Sequence, residues 1–179
     1  MKTGLFRRTP NSDSISALYG AIVAQARSPM FYRSYGVADT VNGRLEMMLI
    51  HTFLAYRRMR RGNDVLQQMG QAVFDLFCDD MDGNLREMGV GDLAVPKQMR
   101  KIGEAFYGRG RAYEEALVAA DQALIDALLR NVFGGDEQQR SGAQRLAAYM
   151  KAADAELERQ ENGDLLHGRI NFPNPEMDA

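Results

Sequence analysis

The sequence contains no tryptophan, one cysteine and two histidines. The lone Cys78 excludes an internal disulfide framework and points to a reducing compartment. It falls between the two faces of a helical segment, no motif marks it as a nucleophile, and an inert thiol is expected. His51 and His167 are far apart, without metal-ligand or triad spacing around them. His51, on an apolar helix, reads as a satisfied core histidine. Glu104, Glu114 and Glu115 are separated by helical turns and give no support for paired-carboxylate chemistry. No catalytic residue, metal or cofactor is expected on these grounds.

A strong charge of either sign is also missing. The formal net charge is −2, so no global basic field recruits nucleic acid. No apolar run reaches the length of a membrane span. The longest lies near "MMLIHTFLAY", about half a span, and it contains His51. The opening "MKTGLFRRTPNSDS" has basic residues but no continuous apolar stretch, so no signal peptide is expected. Hairpin signals, β-alternation and repeats of fixed period are absent.

What remains is an ordinary core-forming composition, 45% hydrophobic and 26% charged over 179 residues, enough for one domain. The apolar spacing predicts an all-α, single-domain bundle of about six helices with an extended C-terminal tail. The first helix runs from about Ser14 to Arg27 and stops before Pro29. The aromatic loop "PMFYRSYGVADT" follows. The second helix runs from about Val41 to Arg61, and the third from Asp64 to Met88, capped by Asn63 or Asp64. The fourth covers about Val95 to Ala119. The fifth, Gln122 to Phe133, is expected to be N-capped by Asp121 and closed by Gly134 and Gly135. The sixth, about Gly142 to Gln160, is expected to be N-capped by Ser141. Residues 1–13 read as a disordered N-terminus, 14–160 as the helical domain and 161–179 as a tail without helical period. Phe74, Phe77, Met81, Leu85, Leu45, Leu49 and Phe53 are the expected core.

The stretch "DDMDGNLREMGVGDL" resembles a metal or phosphate loop at first sight. An EF-hand register from Asp80 places Leu85 where glycine is required and Gly91 where the bidentate glutamate is required. The Gly-x-Gly pairs at Gly89 and Gly108 lack the companions of a phosphate-binding loop. A helix end fits better. Gly89 is expected at positive φ, Asp92 as the next N-cap, and Pro96 in the first turn beyond it.

Two groups of residues stand out as surfaces for a partner. The second helix is apolar nearly all round, which suits either a central position or a second face offered to a partner. Its last turn holds Arg57, Arg58, Arg60 and Arg61, candidates for an anionic partner as well as complements to the helix dipole. The aromatic loop offers Phe31, Tyr32 and Tyr35, and the stretch "AFYGRGRAY" offers Phe106, Tyr107, Arg109, Arg111 and Tyr113. The eleven methionines read first as core filler, with an adaptable apolar surface as the alternative.

The segment "LYGAIVAQARSPMFYRSYGVADTVNGRLEMMLIHTFLAYRRMR" resembles the opening of the ubiquinol–cytochrome c chaperone family. The segment "LREMGVGDLAVPKQMRKIGEAFYGRGRAYEEAL" resembles its most recognisable block, and "GDLLHGRINFP" in the tail is also similar to family sequence. The resemblance runs from about Leu18 to Tyr149. It implies a helical assembly factor for the cytochrome bc1 complex, with cytochrome b or another subunit as client and no catalytic residues. Mitochondrial relatives accompany newly made cytochrome b and associate with ribosomes. The short N-terminus lacks their leader, so a bacterial cytoplasmic member is expected, with ribosome or inner-membrane surface contact as further expectations. The competing readings are an RNA- or ribosome-associated adaptor using the arginine clusters, and an all-α enzyme whose residues converge only in the fold.

Overall fold

The computed structural model describes residues 11–175. Among the described residues eight α-helices follow one another: α1 Ser12–Ala26, α2 Pro29–Arg33, α3 Val41–Arg60, α4 Asp64–Glu87, α5 Val95–Leu117, α6 Asp121–Val132, α7 Arg140–Arg159 and α8 Asn162–Leu166. A 3-10 turn, Glu137–Gln139, precedes α7. The six long helices are those the apolar spacing predicts, and no strand occurs among the described residues. Most of the segment expected to be disordered lies outside the described residues. Its last residues, Ser12 and Asp13, already belong to α1, because the Asn11 side chain accepts from Asp13 N–H at 3.1 Å and caps the helix.

Helix α3 is the axis of the bundle. It packs against α1, α4, α5, α6 and α7, so Met47, Ile50 and Leu54 are as buried as Leu49 and Phe53. The second apolar stripe is core. Gly70 lets α4 cross closely, since a Cβ there would lie 3.1 Å from the Met59 side chain. Of the expected core residues, Phe74 and Phe77 are buried, whereas Leu45, Met81 and Leu85 are half-buried. Burial falls off along α4 beyond Phe77, where fewer neighbours flank it.

The helix ends are only partly as the sequence predicts. Gly89 has φ +82°, with Gly89 N–H donating to Arg86 O at 2.9 Å and Val90 N–H to Leu85 O at 3.0 Å. This pair of bonds is the Schellman closure that favours glycine. Asp92 is not the next cap. Ala94 holds that position without a side-chain bond, and the Asp92 carboxylate pairs with Arg86 instead. Asp121 likewise lies inside the first turn of α6, after Ala120, and pairs with Lys151. Ser141 is no cap either, because the 3-10 turn capped by Asp136 feeds directly into α7 from Arg140.

The tail differs most from expectation. α8 forms one short helix, and the chain beyond it closes the bundle rather than leaving it. Pro173 O accepts from Gln25 Nε2 at 2.9 Å, Pro175 O accepts from Tyr35 Oη at 3.0 Å, and Ile170 is buried. The Phe172 ring lies 5.3 Å from His51. His51 itself is fully buried and satisfied, with Nδ1 2.8 Å from Met47 O and Nε2 2.8 Å from Tyr149 Oη. Gln25 Nε2 also donates to Tyr149 Oη, at 2.9 Å. Tyr149 therefore gives its own proton to His51 Nε2, and the imidazole is neutral with its proton on Nδ1.

An arginine-rimmed aromatic groove

The C-terminal end of α3 and the middle of α5 run side by side and leave a groove of about 460 Å³. It is lined by Phe53, Tyr56, Arg57, Arg60 and Arg61 on one side, and by Phe106, Tyr107, Gly110, Arg111 and Glu114 on the other. Helical spacing produces this arrangement: Phe53, Tyr56 and Arg60 share a face of α3, as do Phe106, Gly110 and Glu114 on α5. The arginine turn of α3 and the "AFYGRGRAY" stretch, about fifty residues apart on the chain, thus meet in one place, while the aromatic loop lies outside it.

The floor is aromatic. Phe106 is buried, with its ring 4.5 Å from Phe74 and 5.9 Å from Tyr56. Tyr107 stands above it, 5.6 Å from the Phe106 ring and 59% exposed. Gly110 keeps the floor open, since a Cβ there would lie 3.2 Å from the Phe53 ring. The rim is cationic. The Arg60 guanidinium lies 5.8 Å from the Tyr56 ring centroid, a cation–π contact, and among the described residues no carboxylate pairs with it. Arg61 is held by Glu158 at 2.7 Å and Glu114 at 3.2 Å, and Arg111 by Glu115 at 3.0 Å.

Several expected surface residues are drawn into the protein. Arg57 is a buried strut with its side chain 5% exposed, bonded to Glu114 at 2.7 Å and to Asp154. Burial raises the Asp154 pKa, and the Arg57 charge opposes that rise. Arg58 is buried too, donating to Leu157 O at 2.8 Å, Gln160 O at 2.6 Å and Asn162 Oδ1 at 2.8 Å. Both guanidiniums are bonded to acceptors on neighbouring elements, Arg57 to α5 and α7 and Arg58 to the end of α7 and the start of α8. Phe31 and Tyr35 are fully buried, since α2 turns them inward; the Phe31 ring lies 4.8 Å from Tyr149. Tyr32 is half-buried, with its hydroxyl donating to Ala26 O at 2.9 Å. Tyr113 is core, packed 5.9 Å from Phe53, and burial raises its pKa. Arg109 leaves the groove altogether and pairs with the buried Glu46 at 2.5 Å. The Glu46 pKa is raised by burial, against the pull of Arg109.

The sequence did not flag Tyr56 or Glu114 as parts of the site. The signal for Tyr56 was its i, i+4 spacing to Arg60, which is the spacing of a ring and a cation on one helix face. Among the described residues no group of three or more His, Cys, Asp and Glu side chains could hold a metal, and no helix is long and apolar enough to cross a membrane. The Cys78 thiol is half-buried, with its pKa raised by burial and by Asp75 and Asp79.

Known proteins resemble the chain over nearly all of this architecture. It is 22% identical over 149 residues to ubiquinol-cytochrome-c reductase complex assembly factor 1 of Xenopus laevis, a match covering 83% of this chain and 74% of that protein. The Homo sapiens protein of that name is 23% identical over 149 residues, and there the chain spans 50% of the length. The crystal structure of the Cbp3 homolog from Brucella abortus matches with a TM-score of 0.86 and 39% identity, over 93% of this chain and 92% of that one. The family model for the ubiquinol-cytochrome C chaperone matches residues 33–172. The chain therefore belongs to the ubiquinol–cytochrome c chaperone family, a family of assembly factors and not of enzymes.

Proposed function

We propose that the chain is a bacterial assembly chaperone for the cytochrome bc1 complex that captures newly made cytochrome b in the groove between α3 and α5. The observation that carries this reading is the exposed Tyr107 on a buried aromatic floor, rimmed by Arg60, Arg61 and Arg111. Apolar burial on Tyr107 and Phe106 supplies adhesion, and the rim charges orient an incoming segment and speed its capture. A helical client segment with an acidic end fits both features. The chain works in the cytoplasm, with peripheral contact at the inner membrane. The RNA-adaptor reading loses two of its four clustered cations, because Arg57 and Arg58 are buried.

The test is a photo-crosslinking residue placed at position 107 in a host that makes a bc1 complex. Cytochrome b should be captured from that position and not from an exposed control position on α7. Deletion of the gene should leave cytochrome b transcript in place while assembled complex falls. Normal complex levels in a deletion strain without a redundant copy would defeat the chaperone reading.

A further inference from the structure

The loop between α2 and α3 separates two polar clefts. On one side Arg27, Pro29, Tyr32, Arg33, Asp39 and Arg44 line a cleft of about 260 Å³. On the other, Ala38, Thr40 and Asn42 face Lys101 and Arg109 of α5 across a cleft of about 470 Å³. Five cations and two carboxylates, Asp39 and Glu46, thus line the two sides. Both carboxylates are committed, Asp39 to Arg44 at 2.7 Å and Glu46 to Arg109. Arg27 and Arg33 are exposed, and among the described residues no carboxylate pairs with either. Val41, 63% exposed, opens α3 one helical turn before Arg44, next in the chain to Thr40 and Asn42 of the larger cleft. The smaller cleft has room for a single phosphate group and its nearest substituents, and guanidinium forks match phosphate oxygens.

We propose that this face docks on an anionic phospholipid surface, with a headgroup phosphate seated among Arg27, Arg33 and Arg44 and Val41 entering the interfacial layer. The chain as a whole carries −2, so the attraction belongs to this face and not to the net charge. The features do not suit a nucleic acid. A single-stranded RNA needs a track of cations and aromatic faces free for stacking. Here one cleft takes one phosphate, and Tyr32 is half-buried with its hydroxyl tied to Ala26 O. The face shares no lining residue with the Tyr107 groove, so it stands independently of client capture.

Flotation with vesicles tests this on the intact protein. Phosphatidylcholine vesicles should leave it free, and vesicles in which phosphatidylglycerol replaces about one lipid in three should bind it, with loss as salt rises. The double substitution Arg27→Glu with Arg33→Glu should weaken binding roughly tenfold or more at an unchanged melting temperature. Val41→Asp should weaken it as well. Arg145→Glu, an exposed charge on α7, should bind like the wild type. Equal binding to both vesicle types, wild-type binding by the Arg27/Arg33 variant, or equal loss in Arg145→Glu would overturn the proposal. Release by millimolar inorganic phosphate would reassign the cleft to a free phosphate and overturn the lipid reading. Tighter binding to a single-stranded RNA oligomer than to the anionic vesicles would do the same in favour of RNA.

Discussion

The imidazole of His51 and the hydroxyl of Tyr149, on helices α3 and α7, are joined by a 2.8 Å hydrogen bond inside a ring of aromatic side chains. Burial pushes the His51 pKa down to about 4, and the Met47 carbonyl opposes that shift only in part. The folded pKa lies below that of the unfolded chain. The unfolded state therefore takes up the proton first as pH falls, and stability drops from about pH 6.5 down to about pH 4. Between pH 7 and pH 5 this one group should cost about 2 kcal/mol. Urea melts of the wild type and His51→Gln at the two pH values check it. The variant should lack that share of the pH dependence, and parallel losses in both proteins would refute the assignment.

Tyr149→Phe keeps the ring and removes the hydroxyl that serves both His51 and Gln25. The buried His51 Nε2 loses its partner, while Gln25 Nε2 keeps Pro173 O, so the unfolding free energy should fall by about 1–3 kcal/mol. A denaturant midpoint equal to that of the wild type would mean that this network adds nothing to stability.

The connection between α4 and α5 separates two substitutions that sequence reasoning treats alike. Gly89→Val forces a β-branched residue to φ +82° and should cost at least about 1 kcal/mol. Asp92→Ala removes only an exposed ion pair with Arg86 and should leave the melting temperature unchanged. A marked loss in Asp92→Ala would restore it as a cap. Calorimetry on both variants decides.

Within the arginine cluster the predictions diverge by residue. Arg57→Ala strands Asp154 beside a vacated buried site and should destabilise the fold by about 3 kcal/mol. Arg60→Glu touches no carboxylate partner and should fold normally while supporting little bc1 assembly in a complemented deletion strain. Full complementation by Arg60→Glu combined with Tyr107→Glu would remove the groove from the client site. A variant reversing all four arginines would confound folding with binding and should be avoided.

Phe77→Ala should cost about 3–5 kcal/mol, because the side chain is fully buried where α4 meets α3 and α5. Thermal melts give the answer, and an unchanged midpoint would mean that α4 presents a different face to the core.

Helix existence was legible because the apolar residues recur at helical spacing over many turns, as in α4. Helix starts were less so. Asn63 caps α4 with a 3.1 Å bond to Leu66 N–H, yet Asp92 and Asp121 bond elsewhere, since a cation outside the cap, Arg86 on the preceding helix and Lys151 on α7, competes for the carboxylate. Sequence spacing carries no record of that competition. Likewise Arg57 and Arg60 look alike three residues apart, but α7 covers one and not the other. Tyr35 is tied down by the tail, through a contact 140 residues distant on the chain. The groove was half legible: Phe106, Tyr107 and its arginines were named and Tyr56 was not, and their meeting depends on how α3 and α5 are placed side by side.

The tail contacts also set an order of events during synthesis. Gln25, Tyr35 and His51 emerge early, but Phe172, Pro173 and Pro175, which cover them, are added more than a hundred residues later. A growing chain that stops short of Ile170 has all six long helices and still leaves the edge of its aromatic core facing water. The domain therefore cannot seal until nearly all of it has left the ribosome, and until then it is itself a chain with an open apolar surface.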